Sequence, residues 1–181
     1  MFKESFNELK DLRSLVYIAM LCAMNVVLGM FSIPLGANLK IGLGFIAMAV
    51  MGYLFGPVPA GICGFLLDFI KYIIAPDGPY LPWFAITEVL GGLIYGIMLY
   101  KRGSVSIWRC LATRALIDGL LNILLTPVWL EMLYGKGYWF YVSARVVKNL
   151  ILWPIETAVL FVLLKAVNRI MVDRRRKSAV K

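Results

Sequence analysis

Six apolar stretches, parted by short runs of proline, glycine or charge, constrain this chain more than any other feature. They cover about residues 15–31, 41–55, 62–74, 83–100, 107–130 and 139–164. Helices are the natural form for such stretches, because a helix satisfies its own backbone polar groups where no water is available. The breakers between them are SIPLGANLK with Pro34 and Gly36, GPVPAG, APDGPYLP with Pro76, Pro79 and Pro82, KRGSVSIWR, and an aromatic-rich Gly-Lys-Gly turn. Proline at these densities forbids a helix interior. Across 181 residues, 61% are hydrophobic and 16% charged, against roughly 45–50% apolar and about 25% charged in a soluble domain. The surplus belongs on a lipid-facing surface. At ~20 apolar residues per span the chain accommodates about six helices, with no room for a separate soluble domain.

The expected fold is therefore an all-α membrane protein, a six-transmembrane-helix bundle. Its domain runs over residues 14–170, between an interfacial segment at 1–13 and a basic tail at 171–181. Phe2, Phe6, Leu9 and Leu12 recur at helical spacing with charges between them, which suits a short helix on the membrane surface; a frayed, solvated terminus is the alternative. Residues 1–13 do not read as a cleavable signal.

Basic residues set the orientation. With the N-terminus cytoplasmic, one side collects Lys3, Lys10, Arg13, Lys101, Arg102, Arg109, Lys165, Arg169, Arg174, Arg175, Arg176, Lys177 and Lys181. The other receives Lys40, Lys71, Lys136, Arg145 and Lys148. That bias places both termini in the cytoplasm of a multi-pass cell-membrane protein. It also accounts for the net charge of +9 without nucleic acid.

Much familiar chemistry is excluded. There is no histidine, hence no His-ligated metal and no His general base. Cys22, Cys63 and Cys110 stand alone in apolar runs and read as small buried hydrophobes. No GxxxxGK[ST] phosphate loop occurs, and no paired carboxylates or metal-ligand cluster mark a reaction centre. Nothing catalytic, no metal and no cofactor is expected. The competing class is a small intramembrane enzyme or assembly factor.

What stands out instead gathers on the outer side. Tyr80, Trp83, Trp129 and Tyr138 offer aromatic faces, and Lys40, Glu88, Arg145, Lys148 and Asn149 offer polar groups to orient a ring-bearing ligand. Arg145 and Asn149 share a helical face at i,i+4, which Trp153 and Glu156 extend inward. A Glu88–Arg145 ion pair is the alternative for those two charges. Trp139, Tyr141 and Lys136 read as interfacial anchors. Arg114 and Asp118, with Asn122 a turn further, read as a structural ion pair, as do Asp68 and Lys71. Three small-xxx-small pairs, Ala19/Ala23, Gly52/Gly56 and Gly92/Gly96, mark close helix approaches.

Three passages, in this order and spacing, resemble a known family: SIPLGANLKIGLGFIAMAVMGYLFGPV, IAPDGPYLPWF followed by GGLIYGIMLYK, and WLEMLYGKGY followed by ARVVKNLILWPIE. The chain resembles the substrate-binding membrane subunits, the S components, of energy-coupling factor (ECF) vitamin transporters, in particular their folate-type branch, over about residues 12–170. The resemblance implies a six-helix bundle that binds a vitamin at its outer face. It implies docking to a membrane coupling subunit and two ATPases, which hydrolyse ATP on its behalf, and delivery by toppling in the membrane. Ala19 and Ala23 match the pair that touches the coupling subunit. Members of the branch commonly carry Thr at the position of Asp77, Gly near Trp83, Asn-Thr at Thr126–Pro127 and Arg at Lys40. Folate is the first expectation for the ligand, with pantothenate, pyridoxine and hydroxymethylpyrimidine as alternatives.

Overall fold

The computed structural model describes residues 1–34, 40–74, 80–102, 105–135 and 137–179, with side chains described outside 32–34, 40–41 and 172–179. Among these residues the chain is helical apart from one small antiparallel ladder, β1 (Ser32–Pro34) with β2 (Lys40–Gly42), in which Ile33 faces Ile41. The all-α expectation is corrected by that ladder alone. The helices are α1 (Phe2–Glu8), α2 (Leu12–Met30), α3 (Gly44–Phe55), α4 (Pro57–Ile74), α5 (Trp83–Leu99), a fifth long rod from Ile107 to Tyr134, and α8 (Tyr138–Ala179). The rod consists of α6 (Ile107–Leu116), a π-helical stretch over Ile117–Leu125, and α7 (Thr126–Tyr134).

Four of these pieces, Leu12–Met30, Pro57–Ile74, Ile107–Tyr134 and Tyr138–Met171, are long and apolar enough to cross a membrane; Gly44–Phe55 and Trp83–Leu99 are shorter apolar helices. Large hydrophobic side chains such as Phe65, Ile73, Trp108, Leu150 and Val162 stand exposed on the outside, as a lipid-facing surface requires.

Local chemistry explains where the elements begin and end. Asp11 caps α2 by accepting the Ser14 amide at 3.0 Å. The GPVPAG run is tighter than expected, with Gly56 at φ 88° making the whole turn between α3 and α4. Pro57 and Pro59 fall in the first turn of α4, where the missing N–H groups would have been unpaired in any case. In the fifth rod, Pro127 withholds an amide and breaks the α-helical ladder. The Leu121 carbonyl instead takes both the Thr126 amide and the Thr126 hydroxyl, the latter at 2.7 Å. Pro154 sits inside α8 without ending it.

Residues 1–13 are tied to the bundle. The buried Ser5 hydroxyl donates to the Phe55 carbonyl at 2.8 Å and accepts the Val58 amide at 3.1 Å. It thereby satisfies one orphan group at the end of α3 and one at the start of α4. Phe2 and Phe6 point outward.

The tightest packing is a seam of glycines. A Cβ on Gly64 would lie 2.5 Å from the Glu88 carbonyl oxygen, one on Gly92 2.3 Å from the Ala60 oxygen, and one on Gly96 2.2 Å from the Pro57 Cα. A Cβ on Gly52 of α3 would likewise lie 2.8 Å from the Gly96 amide nitrogen. Gly52, Gly92 and Gly96 are thus internal contacts. The core around them includes Met48, Met51, Leu67, Tyr95, Leu99, Leu160 and Leu164, with Cys63 and Cys110 buried as small hydrophobes. Gly96→Val, with no room between α5 and Pro57, is expected to cost about 3 kcal/mol or more, read as loss of thermal stability in detergent. Gly119→Ala, where a Cβ meets nothing within 4 Å, should leave stability unchanged or raise it by up to about 1 kcal/mol.

Candidate ligand-binding site

A cavity of about 500 Å³ opens among α2, α3, α4, α5, the fifth rod and α8. Its two ends differ. Toward the β ladder it is bounded by Met30, Gly42, Lys71, Ile74, Thr87 and Glu88, and further in by Asn25, Phe45, Met48, Tyr95, Arg114, Leu121, Asn122 and Glu156. Tyr95 lies twelve residues beyond the start of α5, about 18 Å along the axis at ~1.5 Å per residue.

At the ladder end, Lys71 Nζ of α4 meets Glu88 Oε1 of α5 at 3.3 Å, with both side chains about one-third exposed. Glu88 therefore pairs with Lys71, not with Arg145. Lys71 reaches across to α5 instead of pairing with Asp68, and Asp68 takes the Tyr80 hydroxyl at 3.2 Å. Desolvation, and next the Asp68 carboxylate, push the Tyr80 phenol above its ordinary range. Beside this pair, the Trp129 indole N–H donates to Thr87 Oγ1 at 3.1 Å, and Trp83 stacks on Trp129 at 5.7 Å.

The inner end is built around Arg114, 4% exposed. Its guanidinium donates to the Tyr95 hydroxyl at 2.9 Å and to Asp118 Oδ1 at 3.1 Å, pairs with Glu156 of α8, and lies over the Phe45 ring at 4.8 Å. Asn122 adds a bond to Asp118 Oδ1 at 2.9 Å. An isolated charge at this depth is costly; the two carboxylates, the phenol and the ring face answer it. The π-helical stretch carries Asp118 and Asn122 into place, and Asn25 ties α2 to α3 by donating to the Gly44 carbonyl at 2.9 Å.

Of the nine side chains read from sequence as ligand groups, Glu88 lines this cavity. Trp129 touches it through Thr87, with Trp83 stacked behind. Tyr80 sits over Asp68 among Phe69 and Tyr72. The Tyr138 hydroxyl reaches the Leu124 carbonyl at 3.4 Å, its ring edge-on to Trp139. Arg145 and Lys148 are half-buried on α8 away from the cavity lining, and Asn149 is buried with its Nδ2 unpartnered. The Lys40 side chain, Asp77 and Lys136 lie outside the described residues. Ala19 and Ala23 face outward on α2.

From sequence Arg114, Asp118 and Asn122 read as structural and Glu156 as an extension of the Arg145 face. Asn25, Lys71 and Tyr95 carry no sequence reading as cavity groups. A lone Asn at position 25 in an otherwise apolar span was a signal that could have been used.

The model of one protein family, described as ECF-type riboflavin transporter, S component, matches residues 10–169. The chain belongs to this family of S components. It is accordingly a transport protein and not an enzyme, and a multi-pass membrane protein. Its resemblance to the folate-type branch is borne out by individual relatives. The folate transporter FolT of Clostridium novyi (strain NT) is 33% identical over 162 residues, covering 90% of this chain and 94% of that protein. The FolT of Leuconostoc mesenteroides subsp. mesenteroides is 31% identical over 160 residues, covering 85% of each. A crystal structure of FolT bound with folic acid superposes with a TM-score of 0.74 at 31% identity, covering 84% of this chain and 91% of that one.

Removing the cation at the centre of the S component's polar cluster would strand two carboxylates. Arg114→Met is expected to cost about 3–5 kcal/mol, measured as loss of thermal stability in detergent. Arg114→Lys should recover little of it, because an ammonium cannot serve Tyr95, Asp118 and Glu156 with the same fork of donors.

Proposed function

We propose that this S component binds folate with high affinity in the cavity beneath the β ladder and serves an ECF-type importer. The observation that carries this reading is the likeness, over 91% of its length, to a FolT whose structure holds folic acid. Six helical rods cross the bilayer with both termini cytoplasmic, supported by the excess of Lys and Arg at the termini and in the α5–α6 connection. Residues 14–170 form the vitamin-binding domain, 1–13 an interfacial segment and 171–181 a basic cytoplasmic tail. The ladder then lies on the outer side of the membrane, with Tyr80 and the C-terminal end of α7. Glu88, with Trp129 and Trp83 beside Thr87, is proposed to receive ligand at the cavity, and Lys40, Tyr80, Tyr138, Arg145, Lys148 and Asn149 to meet it outside the cavity lining on its way in from this outer side.

The chain itself binds no cofactor. It docks onto a membrane coupling subunit carrying two ATPases, and ATP hydrolysis there resets a subunit that topples to deliver its vitamin. The outward-facing Ala19 and Ala23 on α2 support a close helix–helix approach by that coupling subunit. Riboflavin is the second reading, favoured by the description of the matching family.

Titration of the purified full-length protein, followed by tryptophan fluorescence, should give a nanomolar response to folic acid and none to pantothenate, pyridoxine or hydroxymethylpyrimidine. Silence toward folic acid with a response to riboflavin would replace the first reading by the second. Ala23→Leu is expected to leave folate affinity within about twofold of the parent, as for a lipid-side substitution, while abolishing uptake by cells that carry the complete transporter. Lost binding would make that position an internal contact.

A further inference from the structure

The buried cluster around Arg114 holds one more carboxylate than it has cations. Arg114, Asp118 and Glu156 are 4%, 5% and 8% exposed, and a single guanidinium nitrogen, Nη2, meets both Asp118 Oδ1 and Glu156 Oε2. Among the described residues no other cation pairs with either carboxylate. Lys71 of α4 is spent on Glu88 of α5 at 3.3 Å, and α2 and α3 line the cavity without a charge. Tyr95 of α5 is the remaining ionisable neighbour, and its hydroxyl accepts from Arg114 Nη1 at 2.9 Å. Ionising it would only deepen the imbalance. An uncompensated charge in a dry interior is costly enough that the group neutralises instead.

Hydrogen bonding decides which carboxylate that is. Asp118 Oδ1 accepts twice, from Arg114 at 3.1 Å and from Asn122 Nδ2 at 2.9 Å. Its Oδ2 is closed to water and meets no donor. A carboxylic acid explains this asymmetry, because its carbonyl oxygen takes two donors while its hydroxyl oxygen requires none. In an ionised carboxylate both oxygens share the charge, and Oδ2 would carry its share bare. The O–H that replaces it lacks an acceptor, which is a neutral group's penalty and the smaller one. No oxygen of Glu156 is both buried and unpartnered.

We infer that Asp118 is a buried proton-binding site: it stands in the folded protein as a neutral carboxylic acid, while Arg114 and Glu156 form the ion pair. The proton comes from water as the bundle assembles and is held on Oδ2. With it in place the cavity lining is balanced, Lys71 against Glu88 and Arg114 against Glu156. An ionised Asp118 would put an uncompensated negative charge behind the cavity wall and oppose any anionic cargo, the more strongly for the low dielectric. The neutral acid removes that opposition. The inference is independent of which vitamin the cavity takes.

The test uses the full-length protein in detergent at neutral pH, without ligand. The infrared difference spectrum, parent minus Asp118→Asn, should show a carboxylic-acid carbonyl band that moves on transfer to heavy water. Carboxylate bands in its place overturn the inference. Thermal unfolding gives a second readout. Asp118→Asn exchanges a neutral acid for a neutral amide of the same shape, and its midpoint should stay within about 4 °C of the parent. Glu156→Gln breaks the ion pair and should lower the midpoint by about 10 °C or more, or prevent folding. A loss in Asp118→Asn as large as that in Glu156→Gln, or failure of Asp118→Asn to fold, returns Asp118 to the role of a second counter-ion.

Discussion

One guanidinium in the interior of an apolar bundle sets the terms for everything around it. Arg114 cannot be left alone at its depth, and its partners come from three different parts of the chain. Tyr95 arrives on α5, Asp118 on the π-helical stretch, and Glu156 on α8. Satisfying one charge therefore fixes the relative rotation and height of three helices, in a way that nonspecific apolar packing does not. The cavity is the space left beside this junction, and its polar inner end is a by-product of the same requirement.

The overall architecture was legible because its causes are local. Apolar runs of helix length, prolines between them and a biased distribution of Lys and Arg depend on composition within a few residues. Trp83 does begin α5, and Ile107 does begin the fifth rod. Boundaries slipped where a breaker was overcounted. Pro57 and Pro59 look like an interruption, yet a first turn has no use for their amides, so α4 begins five residues before the expected Ile62.

The site was less legible because its pairs are made between helices. The i,i+4 spacing exposed Arg114 with Asp118, but nothing in the order of residues announced that Glu156, on another helix, would share the same guanidinium. Lys71 and Asp68 stand three apart and look like a pair. The fold instead sends Lys71 to Glu88 and Asp68 to Tyr80. Charge in an apolar span marks a residue as important without saying which neighbour answers it.

The glycine seam between α4 and α5 has a mechanical consequence. Two helices that meet backbone to backbone at Gly64, Gly92 and Gly96 have no side chain at those points to change rotamer and let them slide, so they act as one stiff plate. The facing wall is made differently: a π-helical stretch, bounded by Thr126 and Pro127, gives up regular hydrogen-bonding geometry over nine residues. A container with one rigid side and one compliant side adjusts its volume by deforming the compliant one. The burden of accommodating cargo thus falls on the fifth rod, while the plate keeps the bundle's outline constant.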